Sequence, residues 1–118
     1  MNRLIKLFIS TLVLFGLSAG ILHAQKRTIA VMTPFLAQPG TQLMVEAFET
    51  AAKAKSWEVN VIDTSGDVAA LVSRMEDVSL QKVDAIVINV DPSQIKTGLL
   101  AAKDAGIPVF GMDSGNDP

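Results

Sequence analysis

Apolar residues along this chain alternate between two spacings. Thr28 to Thr33 (TIAVMT), Glu58 to Asp63 (EVNVID), Ala85 to Val90 (AIVINV) and Pro108 to Met112 (PVFGM) are short runs rich in branched residues. They are too short for helices and predict strands. Between them the spacing becomes helical. Thr41 to Lys55 places Leu43, Met44, Ala47, Phe48, Ala51 and Ala52 on one stripe. A second helix, opened by Asp67 at the N-cap position and running to about Gln81, carries Val68, Leu71, Val72, Met75 and Val78. A third, from Ser93 to Ala105, repeats Ile95, Leu99, Ala102 and Ala105, and Gly106 with Pro108 supplies a stop. The predicted order is β-α-β-α-β-α-β, with strand starts near positions 28, 58, 84 and 108. Those separations match the length of a βαβ unit.

The last two strand runs are continuously apolar, the pattern of strands covered on both faces in a parallel sheet. Parallel neighbours need a crossover of a dozen or more residues, and Ser93 to Ala105 provides one. Right-handed crossovers then favour an α/β fold, a doubly wound, Rossmann-like parallel sheet of order 2-1-3-4. The first helix falls on one face, the second and third on the other. Ligands of such sheets sit beyond the carboxyl ends of the strands, where successive connections leave to opposite sides. The loops at that edge are 34–40, 89–91 and 113–116.

The first 24 residues read as a segment apart. Arg3 and Lys6 precede an uncharged run from Leu7 to Leu22, which ends in His23-Ala24-Gln25. This is the pattern of a secretory signal, shorter than the roughly 20 residues of a spanning helix. Cleavage after Ala24 is expected, with cleavage after Ala19 or retention as an anchor as the alternatives. Domain organisation is then 1–24 signal peptide and 25–118 one α/β lobe, delivered to the periplasm, with no stable membrane insertion once the signal is gone. The mature chain keeps 8 Lys and Arg against 12 Asp and Glu, a net charge of −4. That balance, with no basic patch, argues against nucleic acid as a partner.

Cysteine and tyrosine are absent, and the signal contains the only histidine, His23. The mature chain therefore has no Ser/His or Cys/His nucleophile pair and no thiolate or imidazole metal ligand. An enzyme is disfavoured. Neither GxGxxG nor GxxxxGK[ST] occurs, and the loop after the first strand, TPFLAQPGT, holds two prolines where a phosphate cradle needs free N–H groups. No cofactor is expected. A receiver domain would need acidic residues after the first strand, where Thr33-Pro34 stands.

Asp67 and Asp91 precede or open helices and read as caps, while Asp63 stays open between cap and ligand. Asp113 differs, because it follows a strand with no helix for it to cap. It reads equally as a ligand-binding carboxylate and as a turn residue. Phe48 belongs to the core. Phe35 in the first loop either covers the sheet or stacks on a ligand, and Trp57 is expected to pack at the opposite end.

With these residues placed, the chain resembles the N-terminal lobe of periplasmic binding proteins of the ribose- and galactose-binding type. The resemblance runs from Thr28 to Asn116 and rests on IAVMTP, on VDAIVIN followed by DPSQI, and on AAKDAGIPVFGMDSG. It implies two lobes closing around a small sugar-like solute, and as partners the membrane subunits of an ABC importer or a chemoreceptor. It also implies that further strands and a second lobe follow, so the chain reads as a fragment. The family's aspartate after the fourth strand bonds ligand hydroxyls, and that position is Asp113. The first loop departs from the ribose-binding pattern, with Gln38, Pro39, Gly40 and Thr41 in place of an asparagine, a proline and two aromatic residues. Ser114 stands where a basic residue often follows the aspartate. The expected ligand-binding set is Asp113, Phe35, Gln38, Asn89 and Ser114. Rival readings are a sensing module for a membrane receptor and the effector-binding half of a lactose-repressor-like regulator. The second lacks its helix-turn-helix, since the first 24 residues are apolar instead.

Overall fold

The strand Thr28–Thr33 (β1) forms the middle of the fold because every residue after Thr28 is buried. The computed structural model describes residues 25–113. β1 is flanked by Glu58–Asp63 (β2) and Ala85–Ile88 (β3), and Val109–Gly111 (β4) pairs with β3. All pairings are parallel and the order is β2-β1-β3-β4, as the crossover argument predicts. The connections are the helices Pro39–Ala54 (α1), Val68–Leu80 (α2) and Lys96–Asp104 (α3).

Period-two alternation divides the core into two layers. Ala30, Met32, Ile86 and Ile88 point to one face, where Leu71, Met75 and Val78 of α2 and Ala102 of α3 meet them. Ile29, Val31, Ala85 and Val87 point to the other, against Val45 and Phe48 of α1 and Trp57. Two helices cover the first face and one covers the second. Beside α1 the sheet consequently opens into an apolar groove of about 500 Å³, lined by Ile29, Phe48, Trp57, Ala85, Val87 and Phe110. Trp57 packs at the end of this groove nearest Arg27 and Asp84, away from the carboxyl edge, with Lys55 Nζ 5.8 Å from its ring centre.

Uneven coverage corrects the expectation that the last strand is buried on both faces. β4 is three residues long, half-buried at Val109 and exposed at Phe110 and Gly111. Phe110 pairs in register with Val87 and so shares its face, yet it is 57% exposed because α1 does not reach that far along the sheet.

The buried face of α1 also differs from the predicted stripe. Thr41, Val45 and Ala52 are buried and Phe48 half-buried, whereas Leu43 is 68% exposed and Ala47 and Ala51 face outward. Both stripes have helical spacing. Contact with the sheet chose the one through Val45.

The third crossover is broken near its start. Asp91 Oδ1 accepts the Ser93 N–H at 2.8 Å and caps a 3₁₀ turn, Pro92–Gln94. Ile95 follows at φ −126° with its side chain fully buried, so α3 begins only at Lys96. Ser93 is therefore not the N-cap of a long helix, and Ala105 is the exposed residue after the last helical turn. Asp67 caps α2 as expected, accepting the Ala70 N–H at 2.8 Å.

α3 lies close to α2 at Gly98. A Cβ there would come within 2.9 Å of Met75 Sδ and 3.0 Å of Met75 Cβ. The thioether end can rotate aside, but Met75 Cβ moves only with the α2 backbone. Gly98→Ala gains about 1 kcal/mol in helix propensity, and the overpacking costs about 1–3 kcal/mol. Chemical unfolding should show a net loss of about 1 kcal/mol. An isolated polypeptide of residues 25–118, with its groove and Phe110 open to water, should bind an apolar-surface dye and associate at micromolar concentration. Light scattering that shows a dye-silent monomer would contradict this picture of the exposed face.

Candidate ligand-binding site

Three loops converge beyond the carboxyl ends of β1, β3 and β4, and a short chain of hydrogen bonds ties them together. Thr33 ends β1 with a hydroxyl in an otherwise apolar strand. Its Oγ1 accepts the Phe35 N–H at 3.0 Å and donates to Asn89 Oδ1 at 3.2 Å. Asn89 Nδ2 then donates to the Met112 carbonyl at 3.0 Å. Thr33 and Asn89 are both buried, so each polar atom there needs a protein partner, and these bonds supply them.

Above this network is a pocket of about 320 Å³, lined by Phe35, Gln38, Thr41, Asn89, Val90, Asp91 and Asp113. Four of the five residues expected at the site, Phe35, Gln38, Asn89 and Asp113, thus surround one concavity. The fifth, Ser114, lies outside the described residues, as does the signal segment 1–24. Gln38 occupies the N-cap position of α1 and makes no side-chain cap bond, leaving its amide directed to other uses. Phe35 is half-buried, with its ring on the pocket wall. Asp113 adopts φ +54°, a left-handed conformation that aspartate tolerates better than most residues.

The wall is acidic. Asp91 and Asp113 contribute two carboxylates, and no Lys or Arg is among the described residues that line the pocket. The Ser93 backbone N–H, and then its side chain, hold the Asp91 carboxyl below its ordinary value. Asp91 is therefore fully ionised at neutral pH. Asp63 stands apart, its carboxylate accepting the Ser65 N–H and hydroxyl in the turn after β2. Thr41 is a pocket residue outside the expected set, while Val90 and Asp91 belong to the loop 89–91 expected at this edge, Asp91 with a cap as its favoured reading. Thr41 sits inside a helical pattern that carries no separate signal. Asp91 is both cap and wall.

A family model described as periplasmic binding protein domain matches residues 29–118. The chain belongs to this family. It is 32% identical over 87 residues to the ribose import binding protein RbsB of Bacillus subtilis, an alignment covering 73% of this chain and 28% of that protein. An ABC transporter solute-binding protein of Agrobacterium vitis, solved with bound allitol, superimposes with a TM-score of 0.71 at 26% identity, over 80% of this chain and 33% of that one. Another, from Actinobacillus succinogenes with bound D-allose, gives 0.70 at 27% identity over 79% and 34%. The chain thus spans about a third or less of the length of these relatives.

Because the native cap depresses the Asp91 carboxyl, its stabilising contribution is complete above the ordinary value of 3.8 and is lost as pH falls through the lower folded value. Asp91→Asn retains a capping oxygen without titrating. Thermal melts should show the parent more stable than this variant at neutral pH, with the difference shrinking below pH 3.8.

Proposed function

We propose that the protein is the solute-binding component of an ABC importer, taking a sugar-like polyhydroxyl solute in the periplasm. The observation that carries this reading is the convergence of Phe35, Gln38 and Asp113 on one pocket at the carboxyl edge of a periplasmic binding protein lobe. Two carboxylates, with no Lys or Arg among the described residues of the wall, suit a ligand that presents hydroxyl donors. Phe35 offers one apolar ring face to the carbon skeleton, and the Gln38 amide supplies both donor and acceptor. The relatives' cargoes support the class: one is named for ribose import, and two were solved with allitol and D-allose.

No chemistry is needed. A pocket of this kind encloses its ligand only when a second wall closes over it, since binding sites bury 70 to 90% of a small ligand, as a general figure. The relatives' greater length is consistent with a second lobe that supplies that wall. Export rests on Arg3 and Lys6 ahead of the Leu7 to Leu22 run. Importer membrane subunits are the partners this role requires.

Asp113→Ala in the full-length protein removes charge-assisted hydrogen bonds worth about 1.5–3 kcal/mol. Calorimetry with ribose, allose and allitol should show affinity for the bound sugar or polyol falling by one to two orders of magnitude, while the melting transition stays in place. Unchanged affinity would reduce Asp113 to a turn residue and remove the centre of the proposed site.

A further inference from the structure

We infer that Asn89 is a positioning residue, whose amide ties the end of β1 to the end of β4 and so sets where Asp113 presents its carboxylate. The inference rests on the proposed role of Asp113 as a ligand partner.

The geometry is specific. Asn89 Oδ1 is held by the Thr33 hydroxyl at 3.2 Å and Asn89 Nδ2 holds the Met112 carbonyl at 3.0 Å. The amide therefore has one bond toward the central strand and one toward the edge strand. Water competes poorly for either, because Asn89 is only 7% exposed and Thr33 not at all.

What it holds is otherwise weakly placed. β4 has three residues and, among the described residues, pairs only with β3, and its last backbone bond runs from the Met112 N–H to the Ile88 carbonyl at 2.7 Å. Asp113 comes next, at φ +54°. A non-glycine residue persists there only when its surroundings hold it. The Met112 carbonyl and the Asp113 N–H belong to one rigid peptide plane. Anchoring that carbonyl therefore orients the plane from which the Asp113 side chain departs. Through Thr33, the same network also reaches the Phe35 N–H at 3.0 Å, so the ring and the carboxylate are referred to one buried amide.

Asn89→Leu in the full-length protein keeps the branched outline of the side chain, with two bulkier methyl groups in place of the amide oxygen and nitrogen, and removes both bonds, and Thr33→Val removes the hydroxyl alone. Hydrogen exchange at the Met112 amide of Asn89→Leu, which is bonded to the Ile88 carbonyl, should quicken about tenfold, the factor one lost hydrogen bond carries. The Val31 and Ile86 amides should not change. Calorimetry with D-ribose and D-allose should show about tenfold weaker binding. The double variant Asn89→Leu with Asp113→Ala should bind no more weakly than Asp113→Ala alone, because a residue acting through Asp113 has nothing left to position. Losses that add would make Asn89 a direct ligand contact and overturn the inference, as would unchanged exchange at Met112. Should Asn89→Leu fail to fold, or neither sugar bind the parent, exchange in Thr33→Val decides, with a severalfold quickening expected at the Met112 amide and none overturning the inference. Asp113→Ala without effect on binding would instead strike the proposed site itself, and the exchange result would still judge the strap.

Discussion

Burial of β1 on both faces is the constraint on which the rest of the structure depends. A strand with no exposed face has to be apolar along its length, and any polar group at its end must find a protein partner. Thr33 is that end, and its hydroxyl is satisfied in both directions by Phe35 and Asn89. The loops leaving β1 and β3 start from this pair of bonds, so their first residues are located by the core itself. Apart from Asp113, which follows β4, everything that lines the pocket is within a few residues of it or on the helix that follows.

Strand identity, sheet order and the carboxyl edge were legible in the sequence because each depends on local composition combined with a strict rule of handedness. Continuous apolar runs favour a covered parallel sheet, and right-handed crossovers leave few arrangements. Helix faces were less legible. In α1 the stripe through Leu43 and the stripe through Val45 are both plausible by period, and tertiary contact chose between them. The break before α3 was hidden for a similar reason. Ser93 is an ordinary capping residue, and only the combination of the Asp91 carboxylate and the buried Ile95 side chain shows that the helix must wait until Lys96.

Of the site, Phe35, Gln38, Asn89 and Asp113 were found through strand ends and resemblance, and the structure gathers them about one pocket. Thr41 was invisible because its residue type is what a helix face would contain anyway. The division of labour within the set was also invisible. An asparagine after a strand gives no indication of whether its amide faces solvent, ligand or backbone, and here two of its bonds turn inward. The unequal helix cover of the two sheet faces was implied by the topology, but its effect on β4 depended on how far α1 extends sideways.

The distribution of sulfur has a consequence for chemical durability. With no cysteine, the thioethers are the groups among the described residues that peroxide oxidises most readily, and they fall into two classes. Met32 and Met75 have no exposed surface, and Met75 is pressed against Gly98, so peroxide reaches them only after the core opens. Met44 and Met112 are half-buried. Met112 lies at the mouth of the apolar groove and gives its carbonyl to Asn89. A sulfoxide there would set a polar group beside Phe110 and Val87, one residue before Asp113. Oxidative wear would thus reach the edge of the sheet that presents the carboxylate long before it reached the packing that holds the fold.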